Sequence, residues 1–147
     1  MEHTRELSIS ASYLPHTDAE ASLAFYRDLL GFEVRMDVGG GQLRWITMGP
    51  PGQEDTAVVL HPVLSDDGIT EAEHAALLAI IAKGSYFGIN LATPVLDVVF
   101  ARLVEGGADV VQEPMDQDYG IRDAAVRDPA GNQIRLQQLP GREGVER

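Results

Sequence analysis

The sequence contains no cysteine among its 147 residues, so disulfide bonds, thiolate nucleophiles and cysteine-ligated metals are excluded. Positive charge is also scarce: 11 lysines and arginines stand against 23 aspartates and glutamates, and Lys83 is the only lysine. Binding to nucleic-acid phosphates requires clustered positive charge, whereas the formal net charge here is −12. We therefore expect no nucleic-acid partner.

Long apolar runs are absent as well. No stretch is long enough to span a bilayer, and the first ten residues carry Glu2, Arg5 and Glu6 instead of the apolar core of a signal peptide. These absences predict a cytoplasmic protein without a membrane partner. The length and a hydrophobic fraction of 44% suit a single globular domain that covers residues 1–147.

Hydrophobic patterns predict the same order of elements twice along the chain. The first unit has strands at residues 7–14, 32–38, 43–48 and 56–63 and a helix at 19–30. The second has strands at residues 86–92, 108–113, 120–127 and 132–139 and a helix that starts at Thr93-Pro94. We predict an α+β protein with module one at about 7–64, a connector helix at about 70–83 and module two at about 86–139.

Capping residues fall at the ends of the predicted helices. Thr17 or Asp18 can accept hydrogen bonds from the first N–H groups of the first helix, and Gly31 can end that helix in a left-handed conformation. Thr70 and Glu73 have the spacing of a capping box at the start of the connector helix. These residues predict where both helices begin and where the first one ends.

Three segments together resemble the glyoxalase/bleomycin-resistance (vicinal oxygen chelate) family. They are DAEASLAFYRDLLGFEV at 18–34, GGADVVQEP at 106–114 and VRDPAGNQIRL at 126–136. The resemblance implies two βαβββ modules that form a curled mixed sheet around a cleft, with helices on the convex face. It also implies a homodimer, in which clefts often form between modules of different chains. One such fold hosts many functions, so the resemblance alone does not fix the activity.

The resemblance also implies four metal-ligand positions, on the first and last strands of each module. In this sequence they correspond to Ala11, to Leu60 or His61, to about Gly88, and to Arg135. Only His61 offers a metal-binding side chain, and the charge of Arg135 opposes a cation. We therefore expect no metal ion and no other cofactor, and we assign no catalytic residue.

Alternation along the last strand predicts a polar row on the cleft side. Ile134 and Leu136 would face the helices, so Gln133, Arg135 and Gln137 would face the cleft. A buried arginine requires a partner, which could be water, a polar ligand or an acid such as Glu113. A purely structural salt bridge is the equal alternative.

Aromatic residues are few, at 6% of the chain, yet several fall where cleft walls are expected. Planar ligands stack well on such rings, although Trp45 and Phe87 would also suit the core. An acidic segment with Glu113, Asp116 and Asp118 could attract a cationic drug. The predicted ligand-binding residues are Tyr13, Trp45, Leu60, His61, Phe87, Asn90, Tyr119 and Arg135.

These observations favour a metal-free small-molecule binding protein that sequesters an aromatic antibiotic. The alternative is a lyase, isomerase or dioxygenase of the same superfamily with an atypical or absent metal site, or an acid–base catalyst. A regulatory binding module without a role against drugs is a third interpretation. The sequence contains neither a phosphate-binding glycine loop nor a nucleophile elbow that would indicate other chemistry.

Overall fold

The computed structural model describes residues 6–63 and 68–140, so the charged N-terminal residues 1–5 and the end of predicted module one lie outside it. The first module contains β1 (Ala11–His16), β2 (Glu33–Val38), β3 (Trp45–Gly49) and β4 (Ala57–Pro62). Helix α1 (Ala19–Leu23) continues directly into a π-helical segment (Ala24–Leu29), and a 3-10 turn (Gly41–Leu43) precedes β3. The strands form one sheet in the order β1-β4-β3-β2, in which only the β1–β4 pair is parallel.

The second module repeats this topology. It contains β5 (Gly88–Thr93), α3 (Leu96–Glu105), β6 (Asp109–Asp116), β7 (Arg122–Arg127) and β8 (Gln133–Gln138). Its sheet has the order β5-β8-β7-β6, again with one parallel pair, β5–β8. Helix α2 (Glu71–Lys83) lies between the modules in sequence. The predicted fold class, α+β with two βαβββ modules and curled mixed sheets, is confirmed.

The first strand begins later than the alternating pattern predicted. Leu7 and Ile9 are 88% and 77% exposed, and the ladder with β4 starts only at Ala11, which pairs with Ala57. Alternation of polar and apolar residues identifies an extended segment but does not identify where its pairing partner begins. The strand also runs on to His16, past the predicted end.

The first helix differs in its turn type from the regular α-helix that the sequence predicted. Asp18 is the N-cap, where its Oδ1 accepts from the N–H of Ala21 at 3.1 Å. In the wider π-helical turn that follows, the N–H of Leu30 donates to the carbonyl of Phe25 at 3.0 Å. Gly31 then ends the helix with φ of +80°, as expected.

The second module's helix starts at Leu96 and not in the turn of Pro94. The side chain of Gln138, at the end of β8, accepts from the N–H of Leu96 at 2.9 Å and donates to the carbonyl of Pro94 at 2.7 Å. A residue from a distant strand therefore caps this helix, which local sequence signals do not reveal.

The two modules share one hydrophobic core on the helix side of their sheets. Its fully buried members come from both halves of the chain and include Ile46, Met48, Leu60, Leu96, Leu103, Val126 and Ile134. The helices also touch directly, because Arg102 Nε donates to the carbonyl of Leu29 at 2.9 Å and the Leu29 side chain lies against Gly106. Each sheet therefore packs one face into a common core and leaves its other face open.

A buried polar junction joins the modules at the tight turn before β8. The Tyr26 hydroxyl, in module one, donates to Asp128 Oδ2 at 2.7 Å, and burial together with the Asp128 carboxylate raises the pKa of Tyr26 well above its usual value. Asn132 Nδ2 donates both to Asp128 Oδ2 at 2.8 Å and to the carbonyl of Pro15 in β1 at 2.9 Å. The turn is thus tied to both the first helix and the first strand.

Helix α2 packs its C-terminal end against the same turn. Its predicted capping box is present, with the N–H of Glu73 donating to Thr70 Oγ1 at 3.1 Å and the N–H of Thr70 donating to Glu73 Oε1 at 2.9 Å. Ile81 is buried, and its carbonyl lies so close to Gly131 that a Cβ there would be 2.1 Å away. Among the described helices, none combines the length and apolar character needed to cross a membrane.

We predict that Gly131→Ala destabilises the protein far more than Gly52→Ala. Both glycines have a positive φ, +112° and +92°, so either substitution strains the backbone by about 1–3 kcal/mol. Only at Gly131 would the new methyl group also collide with the α2 backbone, which adds roughly 1–3 kcal/mol of overpacking. Urea denaturation of both variants measures the difference. Equal losses of stability would contradict the close packing of α2 on this turn.

Candidate ligand-binding faces

The open face of the first sheet carries a cluster of aromatic rings. Trp45 on β3 and Tyr13 on β1 both lie beside His61 on β4, with ring centroids 5.8 and 6.2 Å from the imidazole. Tyr13 is 57% and Trp45 36% exposed, although each lies within a hydrogen-bonded strand. We call these three residues the aromatic cluster. Exposed rings on a sheet face provide a flat apolar surface for a planar molecule.

Apolar side chains extend this surface towards the edge strand. Met36 pairs with Thr47 and Val38 pairs with Trp45 across the β2–β3 ladder, so their side chains lie on the same face as the aromatic cluster. Met36 is 58% and Val38 50% exposed. The open face of module one is therefore an exposed apolar patch that continues beyond the three rings.

The structure resolves the choice between Leu60 and His61 on β4. Leu60 is fully buried in the core, whereas His61 is half-buried on the opposite face beside the aromatic rings. The prediction of Leu60 as a ligand-binding residue therefore does not fit its position. His61 Nδ1 donates to the carbonyl of Pro62 at 2.9 Å.

The open face of the second sheet is polar. Ile134 and Leu136 are buried in the core, so Gln133, Arg135 and Gln137 of β8 lie on the other face, as the alternation predicted. Asn90 of β5 is directly opposite Arg135 in the parallel ladder and is exposed. We call this surface the polar face.

The acid beside Arg135 is Asp123, and not Glu113 as suggested from the sequence. Arg135 Nη1 lies 3.2 Å from Asp123 Oδ2 and 3.3 Å from Gln112 Oε1. Gln112 and Gln117 each donate from Nε2 to Asp123 Oδ1, at 2.9 and 2.8 Å. Burial alone would raise the pKa of Asp123, but the hydrogen bonds from the two glutamines and the charge of Arg135 outweigh it and lower the pKa below its usual range.

Sequence reasoning missed Asp123, Gln112 and Gln117. Asp123 pairs with Gln137 across the β7–β8 ladder, so it belongs to the polar row that was identified on β8 alone. Extending the alternation to the neighbouring strand would have placed Asp123 there. Gln112 reaches the site beside a register shift in β6, which sequence patterns do not show.

Two predicted aromatic residues lie apart from the cluster. Phe87 packs against the shared core and makes an edge contact with Tyr86, at a centroid distance of 4.9 Å. Tyr119 is 68% exposed in the turn between β6 and β7. Within the described part of the chain, neither ring contacts Tyr13, Trp45 or His61. The structure thus brings together Tyr13, Trp45 and His61 on one sheet and Asn90 and Arg135 on the other.

The four positions implied as metal ligands do not fit a metal ion. Ala11 and Gly88 have no donor side chain, and Arg135 is a cation already bound to Asp123. His61 alone contributes a ligating atom. Over residues 6–63 and 68–140, no group of three or more histidines or acids is placed to hold an ion.

A separate groove of about 760 Å³ lies between the start of α1, the 3-10 turn and α2. Its walls include His16, Arg44 and His74, and none of the predicted ligand-binding residues lines it. His16 Nε2 donates to the carbonyl of Arg44 at 2.7 Å, and Arg44 itself pairs with Asp37 and Glu20. These polar contacts link the end of β1 to the residue before β3, and that residue to α1 and β2.

The chain is similar to known proteins over nearly its whole length. The sequence profile of the Glyoxalase/Bleomycin resistance protein/Dioxygenase superfamily matches residues 8–136. The crystal structure of UcmS2 is 32% identical over 92% of this chain and 100% of its own, with a TM-score of 0.80. TnmS3, an antibiotic binding protein from Streptomyces sp. CB03234, is 29% identical over 92% of this chain and 98% of its own, with a TM-score of 0.69.

A superfamily member from Sphaerobacter thermophilus DSM 20745 is 28% identical over 90% of this chain and 98% of its own, with a TM-score of 0.72. No curated protein matches the sequence. The similarity to UcmS2, TnmS3 and this third protein therefore extends over nearly the whole chain.

We predict that Asp123→Asn lowers the free energy of unfolding at neutral pH. The free energy of unfolding should also fall less steeply as the pH is lowered. Because the folded-state pKa lies below the ordinary 3.8, ionised Asp123 stabilises the fold above that value, and this stabilisation is lost as the pH falls towards the folded-state pKa. Loss of the buried carboxylate should cost about 1–3 kcal/mol at pH 7. Urea denaturation from about pH 7 to pH 2 measures both effects.

The matched control is Asp109→Asn, which removes the 64% exposed partner of Arg127 on the same sheet. An exposed ion pair contributes roughly 0–1 kcal/mol, so this variant should resemble the parent protein. An Asp123→Asn profile that falls as steeply in acid as the parent profile would show that Asp123 is not stabilised as described.

Proposed function

Because this chain belongs to the glyoxalase/bleomycin resistance protein/dioxygenase superfamily, we propose that it binds and sequesters a planar aromatic antibiotic without chemical turnover. The observation that carries this proposal is the exposed aromatic cluster of Tyr13, Trp45 and His61 on an open sheet face. Binding sites for small molecules combine apolar and aromatic walls with a few polar anchors, which is the composition of the two open faces.

The comparisons support an antibiotic as the ligand. TnmS3 is described as an antibiotic binding protein and shares the fold over 92% of this chain. In the proposal this chain also binds an antibiotic, and the aromatic cluster forms the binding surface. An aromatic pair contributes roughly 0.5–1.5 kcal/mol beyond the burial of its area, so contacts with two or three rings suit tight, stoichiometric binding.

The site is proposed to be completed by a second copy of the chain. Both sheets pack one face into the shared core, so the aromatic cluster and the polar face each remain open in the single chain. A homodimer in which the aromatic face of one copy meets the polar face of the other would enclose a ligand between unlike walls. The exposed apolar patch that includes Met36 and Val38 supports such an interface. Sequestration would take place in the cytoplasm.

We predict that daunorubicin, a planar aromatic antibiotic, quenches Trp45 fluorescence with a stoichiometry of about one ligand per chain. Tyr13→Ala should weaken binding about five- to tenfold, because it removes one ring of the cluster. Tyr86→Ala is the matched control, since Tyr86 is 76% exposed and lies outside the cluster. Isothermal titration calorimetry gives affinity and stoichiometry independently of the tryptophan signal.

Equal weakening by Tyr13→Ala and Tyr86→Ala would place the ligand elsewhere on the molecule. Conversion of the ligand to a new product during the titration, detected by mass spectrometry, would contradict sequestration and favour the enzymatic alternative. Binding with an unchanged ligand is the expected result.

We also predict that the protein is a dimer in solution and that Val38→Glu disrupts it. Val38 lies on the patch beside Trp45, where a buried unpaired charge would be costly. Val98→Glu is the control, because Val98 is 61% exposed on α3, which lies on the side of the sheets opposite the two open faces. Light scattering coupled to size exclusion measures the mass. A parent protein with the mass of one chain would contradict the proposed assembly.

A further inference from the structure

We propose that Arg135 selects the ligand by binding two neighbouring oxygen acceptors on its aromatic ring system, either a carboxylate or a carbonyl with an adjacent hydroxyl. This inference rests on the proposed function, because it names the chemistry that the same site would recognise. The inference follows from the hydrogen bonds of Arg135, in which Nη1 is bound within the polar face while Nε and Nη2 remain available to a ligand.

One nitrogen of Arg135 holds the side chain in place. Nη1 reaches both Asp123 and Gln112, at 3.2 and 3.3 Å. Asp123 is itself fixed by Gln112 and Gln117, so the anchor is a connected network and not a single contact. The Asp123 side chain is only 4% exposed, whereas that of Arg135 is 31% exposed. The carboxylate of the pair is thus buried, and part of the Arg135 side chain is accessible to a ligand.

The outer end has unused hydrogen-bond donors. A guanidinium carries five N–H groups, of which the two on Nη1 are engaged. Across the described residues, Nε and Nη2 of Arg135 have no protein acceptor. Their N–H groups lie parallel along one edge of the planar group and match two oxygens about as far apart as those of a carboxylate. Asn90, the register partner of Arg135 on β5, adds an exposed amide to the same sheet face.

The charge balance favours a ligand with at most one negative charge. Asp123 offsets the charge of Arg135, and the net charge of −12 repels polyanions at long range. Asp116, one of the acidic residues that could attract a cation, pairs instead with Arg122 on the surface. An aromatic molecule with paired oxygens and no more than one negative charge is therefore the class that Arg135 recognises.

The test compares three probes with related ring systems by isothermal titration calorimetry. These are 2-anthracenecarboxylate, 1-hydroxyanthraquinone and 2-(hydroxymethyl)anthracene, of which only the last lacks a pair of neighbouring oxygens. Hydrogen bonds to a charged group contribute enough that each of the first two should bind about tenfold or more tightly than the third. The comparison between the first two probes shows whether a carboxylate or a hydroxy-carbonyl pair is preferred.

The decisive variant is Arg135→Lys, which keeps the positive charge beside Asp123 but lacks the planar fork. It should bring the affinity ratio between paired-oxygen probes and 2-(hydroxymethyl)anthracene down to about one to three, with affinity for the latter unchanged. Arg127→Lys is the matched control: Arg127 is on the same sheet face opposite Gln133 and has a similar side-chain exposure of 33%. It should leave the ratio intact, and circular dichroism confirms the fold of both variants.

Equal affinity of the parent protein for all three probes would overturn the selectivity while leaving aromatic binding in place. An unchanged ratio in Arg135→Lys would overturn the assignment to Arg135. If none of the probes, nor daunorubicin, binds the parent protein, the proposed function fails together with this inference.

Discussion

The hydrogen bonds that link Tyr26, Asp128 and Asn132 hold the two halves of this protein in one arrangement. Asp128 Oδ1 accepts from three successive backbone N–H groups of its own turn, at 2.9 to 3.0 Å, while Oδ2 receives Tyr26 and Asn132. The carboxylate is buried, so loss of any partner would leave part of a charge without solvation. Because Asn132 also donates to the carbonyl of Pro15 in β1, this turn fixes the position of one module relative to the other.

That arrangement determines which surfaces are available for binding. With the helices and one face of each sheet committed to the shared core, the other faces carry the remaining side chains, and they differ in character. One offers Tyr13, Trp45 and apolar neighbours; the other offers Arg135, Asn90 and glutamines. The two modules therefore share one topology but differ on their open faces, of which one is apolar with exposed rings and the other is polar.

The two faces also explain why a metal-based chemistry does not fit this chain. Three of the four positions that the family resemblance implies as metal ligands carry Ala11, Gly88 and Arg135, and the arginine has its own buried carboxylate. Among the described residues, Asp123 is the only acid within hydrogen-bonding distance of Arg135. The two glutamines that donate to Asp123 are neutral, so its negative charge is balanced by the guanidinium alone. At Arg135, one of the four implied ligand positions, the structure has instead a guanidinium held by Asp123 and Gln112.

The sequence by itself determined the order of the elements, the α+β class and the side of β8 on which Arg135 lies, because periodicity and capping act over a few residues. It could not decide whether Leu60 or His61 lies on the open face of the first sheet. It also could not identify Asp123 and Gln112 as the partners of Arg135, or show that Gln138 caps α3. Those outcomes depend on strand register, on a register shift in β6 and on contacts between residues far apart in the chain. Only the tertiary structure decided them, because a one-residue change in register moves a side chain from the core to the open face.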